Sequence, residues 1–302
     1  MSTRYEDLFH SLHNRGEGAF VPFLMLGDPT PEHTLAIVRT VVAAGADALE
    51  LGVPFSDPVA DGPTIQASHL RALDGGATVD SALEQVRTIR AEFPELPIGM
   101  LIYGNVAFTR GFDRFYAEFA EAGADSILLP DVPVREGAPF IAAAEKAGID
   151  PIFIAPARAT AHTLEGVAQS SRGYIYAVSR DGVTGAEKES ETIGLEDVVA
   201  NINRFDGPPV LLGFGISEPQ HVRDAVTAGA AGAITGSAIT KIIDRHVSRE
   251  TDAKGRPVEG TPGRISDEKA LHKELAAYVA RMKAATKSSP EDAKDPFSAI
   301  GS

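Results

Sequence analysis

The feature of this sequence that most constrains its fold is a regular alternation of short β-rich apolar runs with amphipathic helical stretches. Many of the runs follow a glycine that ends a helix, as in the related phrases at 44–47, 122–125, 147–150 and 228–231. Gly adopts the left-handed conformation that stops a helix, so a strand can begin after a tight loop. Strict alternation implies parallel strands and an α/β class, with eight strands predicted at 20–26, 48–51, 98–102, 126–129, 151–154, 174–178, 210–212 and 232–235.

The alternation sets the class but does not by itself distinguish a closed barrel from an open sheet. A helix over 4–12 precedes the first strand and would plug the bottom of a closed barrel. Residues 1–285 are predicted to form one domain, in which the polar segment 247–267 is a flexible excursion before a last helix over 268–284. Residues 286–302 are predicted to be a disordered tail. Further helices are predicted at 32–43, 64–73, 79–92, 113–121, 137–146, 162–169, 194–203 and 220–227.

Composition excludes several classes of function. The chain has no Cys, which excludes disulfides, thiolate zinc sites, iron–sulfur clusters and a Cys nucleophile, and fits a reducing compartment. Its 28 basic and 42 acidic side chains give a net charge of −14, which argues against sequence-independent nucleic-acid binding. The sequence shows no basic-then-apolar leader and no apolar run long enough to span a membrane. We therefore expect a cytoplasmic protein.

A carboxylate lies at the end of the second predicted strand. In residues 47–52, alternation places Leu49 and Leu51 on one face and Glu50 on the other, so Glu50 points inward if the leucines pack against helices. Active sites form at the carboxyl ends of strands in parallel α/β folds. Glu50 is therefore a candidate general acid/base whose pKa an apolar pocket would raise. The alternative is a structural Glu satisfied by backbone donors or an Arg.

The loop after this strand is long and carries two more carboxylates, Asp57 and Asp61. Asp61 stands before Gly-Pro, where it would either cap the next helix or face Glu50 across a substrate. Glycine-rich turns follow the sixth, seventh and eighth strands, as expected of a barrel phosphate site. Aromatic side chains on the strands, such as Tyr174, are candidates for an aromatic-substrate pocket or for plain core. No metal-ligand spacing, HExxH, GxSxG or nucleotide-binding motif is found.

Together these motifs resemble one family, the α subunit of tryptophan synthase, which folds as a (β/α)₈ TIM barrel with an N-terminal extra helix. The resemblance runs in order from residue 4 to 245, and its most specific part is ELGVPFSDPVADGPTIQ at 50–66. Matching segments also lie at 20–23, 26–29, 131–133, 179–185, 213–217 and 229–238. The excursion at 247–267 and the tail depart from the family, which usually has a shorter connection there.

The resemblance implies a reaction and the residues that perform it. The family cleaves indole-3-glycerol phosphate to indole and glyceraldehyde 3-phosphate by a retro-aldol reaction, without metal or organic cofactor in this chain. Glu50 would be the general acid/base, and Asp61 would accept a hydrogen bond from the indole N–H and stabilise positive charge on the ring. The implied indole pocket is Phe23, Ile65, Leu101, Tyr103, Tyr176 and Thr184, the last on a mobile loop. The implied phosphate site is Gly185, Gly215, Gly236 and Ser237.

The resemblance also implies a partner. Family members assemble with a β subunit, which holds pyridoxal phosphate, in an αββα heterotetramer through which indole passes by a tunnel. The residues implied to face the β subunit are Pro54, Asp57, Pro58 and Asp131. Three alternatives stay open: a free-standing lyase, a non-catalytic regulatory subunit, and a phosphosugar isomerase or epimerase on the same barrel. Retention of Glu50 and Asp61 argues against the second, and the third leaves the paired carboxylates unexplained.

Overall fold

A ring of short parallel strands forms the centre of the molecule. The computed structural model describes residues 2–178, 194–213 and 215–287. Within these parts, nine strands share one sheet: Ala19–Met25 (β1), Leu49–Gly52 (β2), Ile98–Leu101 (β3), Ser126–Leu128 (β4), Asp150–Ile152 (β5), Ile154–Ala155 (β6), Ile175–Ala177 (β7), Val210–Leu212 (β8) and Gly232–Thr235 (β9). Their order is β5-β4-β3-β2-β1-β9-β8-β7-β6, and every pairing is parallel.

The ring nearly closes because its two end strands are neighbours in the chain. Only Phe153 separates β5 from β6, although the sequence pattern predicts one strand over 151–154. The first piece pairs with β4 and the second with β7, so the chain changes partner at Phe153. Pro151 has no N–H to donate, which leaves this strand poorly suited to a continuous ladder on both sides. The two pieces together occupy the fifth of eight strand positions, and the predicted barrel is confirmed.

Helices surround the ring. Those of the described residues are Arg4–Asn14 (α1), Pro31–Ala43 (α2), Pro63–Asp74 (α3), Val79–Glu92 (α4), Gly104–Arg110 (α5), Phe112–Ala122 (α6), Ala138–Ala147 (α7), Ala161–Ser170 (α8), Leu195–Arg204 (α9), Pro219–Thr227 (α10), Ser237–Arg245 (α11) and Glu268–Ala284 (α12). The pattern did not predict α5 and α11. Both are short, and α11 is rich in Ile and Thr, whose own preference is for strands. None of these helices is long and apolar enough to cross a bilayer.

The core has an outer layer and an inner one. Leu49 and Leu51 belong to the outer layer, between the strands and the surrounding helices. The inner layer fills the barrel itself and includes Tyr5, Phe9 and Leu12 of α1. The N-terminal helix therefore plugs one end of the barrel. The opposite end, where the strands terminate, is left for a binding site.

The polar excursion at 247–267 contains a small antiparallel ribbon. Val247–Ser248 (β10) pairs with Arg264–Ile265 (β11). Arg249 forms an ion pair with Asp74 at the end of α3, and the Gly260 N–H donates to the other Asp74 oxygen at 2.8 Å. Thr286, at the start of the predicted tail, is buried, whereas residues 288–302 lie outside the described part.

Candidate active site

Glu50 points into the barrel from β2. Its register partners are Phe23 on β1 and Gly99 on β3, and its neighbours Leu49 and Leu51 pack in the outer layer. The alternation of a strand explains this orientation, because successive side chains project to opposite faces. The carboxyl group of Glu50 is thus directed into the barrel interior rather than toward solvent.

Burial changes the acidity of Glu50. The residue is 1% exposed, and desolvation raises the pKa of its carboxyl from 4.5 to about 8. The hydroxyl of Tyr174 donates to Oε1 at 3.3 Å and lowers the pKa, whereas the negative charge of Asp61 raises it. Glu50 is therefore protonated at neutral pH and can both give and regain a proton near that pH.

A polar group beneath Glu50 supports Tyr174. The Tyr5 hydroxyl and the Ser126 hydroxyl are hydrogen-bonded at 2.8 Å, and the Tyr5 ring lies 5.3 Å from the Tyr174 ring, centroid to centroid. A side chain at Gly99 would crowd all three, since a Cβ there would come 3.0 Å from the Tyr5 and Ser126 oxygens and 3.4 Å from the Tyr174 oxygen. The Tyr174 ring thus packs against the hydrogen-bonded Tyr5, and its hydroxyl reaches the Glu50 carboxyl.

Asp61 is held by side chains and does not cap the next helix. Gly62 occupies the N-cap position of α3, without a side-chain cap. Oδ2 of Asp61 instead accepts a hydrogen bond from the Tyr103 hydroxyl at 2.8 Å and lies 3.2 Å from Nε2 of His69. Of the two readings open from the sequence, helix capping is therefore wrong. Asp61 is 7% exposed and close enough to Glu50 to raise its pKa.

Apolar and aromatic side chains enclose the two carboxyl groups. Phe23 and Ile65 belong to one buried cluster, against which Leu101 packs. The Tyr176 hydroxyl donates to the carbonyl of Gly213 at 2.7 Å, and a Cβ on Gly213 would lie 2.0 Å from Cζ of that ring. The pKa of Tyr176 is raised well above 10 by burial, with Glu50 and Asp61 adding to the effect. Thr184 lies outside the described residues.

A helix N-terminus stands at the edge of this pocket. Gly236 is the N-cap of α11 and Ser237 its first residue. A Cβ on Gly236 would lie 3.6 Å from both Phe23 and Ile65, so the helix begins beside the pocket wall. Gly215 follows β8 with φ of +78°, in the left-handed region that favours glycine. Gly185 lies outside the described residues.

The four residues expected to face a partner fall into two groups. Asp57 and Asp131 are exposed, whereas Pro54 and Pro58 are buried within the chain and shape the loop from inside. Oδ1 of Asp131 accepts a hydrogen bond from the Gly104 N–H at 2.8 Å, which ties it to the start of α5. In the described part of the chain, no cluster of three or more His and acidic side chains is arranged to hold a metal ion.

Sequence reasoning missed His69 as a site residue. The sequence shows its position only indirectly: His69 falls on the buried stripe of α3, with Ile65 and Ala72. A histidine at such a position is read as core unless its partner is known. Tyr174 was recognised as an aromatic candidate, but its contact with Glu50 spans 124 residues of chain and has no local signature.

The raised pKa of Glu50 predicts a pH-dependent stability. The folded protein binds the Glu50 proton up to about pH 8 and the unfolded chain only up to 4.5, so the stabilisation is complete below 4.5 and is lost as pH rises to about 8. Gln does not titrate. We therefore expect Glu50→Gln to raise the melting temperature, by more at pH 9 than at pH 6, in thermal unfolding followed by circular dichroism.

A residue whose pKa is shifted in the opposite direction provides the control. Arg110 lowers the pKa of Glu118 through a hydrogen bond at 2.8 Å, so Glu118→Gln should lower the melting temperature at both pH values. A Glu50→Gln protein that is less stable than the parent at pH 9 would contradict the buried, protonated state of Glu50.

The family model and the sequence relatives that match this chain agree on one family. The model of the family "Tryptophan synthase alpha chain" matches residues 9–287. The tryptophan synthase alpha chain of Corynebacterium aurimucosum is 71% identical, covering 94% of this chain and 98% of that protein. The alpha chain of Corynebacterium glutamicum is 68% identical, covering 94% and 99%.

Solved structures agree with the sequence relatives. The tryptophan synthase subunit alpha of Legionella pneumophila has a TM-score of 0.78 and 28% identity, covering 95% of this chain and 99% of that one. A Mycobacterium tuberculosis tryptophan synthase structure has a TM-score of 0.78 and 26% identity, covering 96% and 100%. The family resemblance inferred from the motifs is thereby confirmed. The chain belongs to the tryptophan synthase alpha chain family and carries that family's lyase activity in tryptophan biosynthesis on a TIM barrel.

Proposed function

We propose that the chain cleaves indole-3-glycerol phosphate to indole and glyceraldehyde 3-phosphate, with Glu50 and Asp61 as its catalytic residues. The observation that carries this proposal is a buried Glu50 with a pKa of about 8, beside an Asp61 whose Oδ2 is held by two side chains. One carboxyl can exchange a proton near neutral pH while the other is held as an acceptor. A retro-aldol cleavage of an indole needs both.

The proposed reaction returns Glu50 to its starting state. Protonated Glu50 gives its proton to indole C3, which places positive charge on the ring nitrogen. Asp61 accepts a hydrogen bond from the indole N–H and stabilises that charge. The Glu50 carboxylate then takes the proton of the hydroxyl on the carbon attached to C3. As that C–O bond becomes a carbonyl, the carbon–carbon bond breaks and its electrons restore the aromatic ring.

The surroundings of the two carboxyl groups support this substrate. The flat indole would lie among Phe23, Ile65, Leu101, Tyr103 and Tyr176. The resemblance adds Thr184, which lies outside the described residues. The phosphate would bind at the N-terminus of α11, at Gly236 and Ser237, where the helix dipole favours an anion. The resemblance adds Gly215 and Gly185 to this site, the latter outside the described residues. In this proposal the chain uses no cofactor of its own.

We further propose that the chain works with a tryptophan synthase β subunit, which holds the pyridoxal phosphate, in an αββα assembly. The face around the loop between β2 and α3 supports this. Val59 in that loop is 73% exposed and Phe108 on α5 is 72% exposed, unusually high values for apolar side chains. Asp57 and Asp131 supply exposed charges, while Pro54 and Pro58 stiffen the loop from within. The structural relatives include tryptophan synthase complexes.

The test is indole formation from indole-3-glycerol phosphate by the purified chain, with and without a β subunit of a close relative. We expect slow turnover by the chain alone and faster turnover with the partner. Because Glu50 must start as an acid, kcat/KM of the chain alone should be level near neutral pH and fall as pH rises through about 8.

Other results of this assay would favour a different function or exclude the proposed one. Rapid turnover that the β subunit does not change would indicate a free-standing lyase. Turnover in neither condition would overturn the proposed reaction. A kcat/KM that instead rises through pH 8 would be compatible with the proposed substrate but would exclude Glu50 as the initial acid.

A further inference from the structure

His69 forms a bridge across the active-site loop, the segment 53–62 between β2 and α3. It lies on α3, is 1% exposed, and contacts both ends of the loop. The N–H of Phe55, near the start of the loop, donates to Nδ1 of His69 at 2.9 Å. Nε2 of His69 lies 3.2 Å from Oδ2 of Asp61, near the end of the loop.

These contacts decide which ring nitrogen carries the proton. A backbone N–H can only donate, so Nδ1 of His69 accepts and carries no hydrogen. The imidazole proton is then on Nε2, from which it is donated to Asp61. Tyr103 is arranged in the same way: its oxygen accepts from the Ala60 N–H at 3.1 Å, and its hydroxyl donates to Asp61 Oδ2 at 2.8 Å.

Both donors use the same oxygen of Asp61. Within residues 2–178, 194–213 and 215–287, no hydrogen bond is made to the other oxygen, Oδ1. With Oδ2 held on two sides, the carboxylate plane has little freedom to rotate, and Oδ1 is available to a ligand. The Tyr103 ring, stacked on Phe55 at 5.2 Å and edge-on to His69 at 6.1 Å, packs the bridge in place.

We propose that His69 is a positioning residue for Asp61: its Nε2–H holds Oδ2 so that Oδ1 meets the indole N–H. This rests on the proposed function of Asp61 in the cleavage reaction. His69 touches no substrate in this account. Its effect is to fix the orientation of a carboxylate that must meet charge developing on the ring, so its loss should appear in kcat more than in KM.

Three substitutions separate the two contacts of His69. His69→Phe keeps the ring and removes both, and we expect it to lower kcat by ~10–100-fold, as for a lost hydrogen bond to a charged group, with KM changed less than about threefold. His69→Gln places an amide where Nε2 was and should restore most of kcat. His69→Asn reaches the Phe55 N–H but not Asp61, so its kcat should stay low. His272→Gln on α12, whose parent imidazole contacts Thr40, is the matched control and should behave as the parent.

A spectroscopic measurement tests the bridge without relying on activity. In ¹⁵N-detected imidazole spectra of the ligand-free chain, the His69 signal, assigned by its loss in His69→Gln, should show the neutral form protonated at Nε2. Protonation at Nδ1 would overturn the proposal even if the enzyme is fully active. If the parent forms no indole but the Nε2–H signature is present, the proposed function has failed and the bridge has not.

The kinetic results also distinguish positioning from packing. If Gln and Asn restore activity equally, or if kcat of the three variants simply follows their melting temperatures, His69 only fills space and the proposal is wrong. Rescue by Gln and not by Asn, at similar melting temperatures, is the result that supports it.

Discussion

Replacing Glu50 with Gln is expected to lower the rate of indole formation by ~100–10,000-fold, the range for loss of a general acid/base. Gln preserves the size of the side chain. Its amide oxygen can still accept a hydrogen bond from the Tyr174 hydroxyl, which lies 3.3 Å from Oε1 of Glu50 in the parent. It cannot deliver a proton to indole C3 or remove one from the glycerol hydroxyl. Because both steps of the proposed cycle use the same group, the loss should appear in kcat with KM little changed.

The measurement is steady-state turnover of indole-3-glycerol phosphate at pH 7, where the parent carboxyl with its pKa of about 8 is protonated. Glu84→Gln on the surface of α4 is a suitable control, since the exposed Glu84 carboxylate pairs with Arg87 on its own helix, and it should keep the parent rate. Turnover by Glu50→Gln within a few-fold of the parent would exclude Glu50 from the chemistry.

Replacing Asp61 with Asn should cost ~100–1,000-fold in kcat, comparable to removing one preorganised electrostatic group from an active site. The amide oxygen can take the place of Oδ2 and accept from Tyr103 and His69. The amide nitrogen then stands where Oδ1 was, and its N–H groups oppose the indole N–H. The variant therefore loses both the negative charge and the acceptor that the positively charged intermediate requires.

Asp61→Asn also tests, in the pH profile of kcat/KM, whether the charge of Asp61 raises the pKa of Glu50. The charge of Asp61 raises the pKa of Glu50, so removing it should shift the upper limb of the kcat/KM profile toward lower pH. Asp113→Asn, on the exposed face of α6 and paired with Lys146, is the control for loss of a surface carboxylate. An Asp61→Asn enzyme with the parent kcat and an unmoved profile would contradict the proposed arrangement.

The class of fold followed from the sequence because its main signals are local. Helix stops at glycine and strand alternation act over a few residues, and the alternation of strands with helices along the chain implies parallel pairing. They predicted the inward direction of Glu50 and the plug formed by α1. The short helices α5 and α11 were missed because packing against neighbours, rather than intrinsic preference, stabilises them.

The sequence by itself determined the class of fold. It also predicted which end of the barrel holds the candidate site and which two carboxyl groups belong to it. Only the tertiary structure decided their states. The pKa of Glu50 depends on burial and on Tyr174, 124 residues away, and the orientation of Asp61 depends on Tyr103, 42 residues away. The contacts of His69 with Phe55 and Asp61 could be identified only in the folded structure. Desolvation and long-range hydrogen bonds arise from the closed barrel, and no short segment of the sequence contains them.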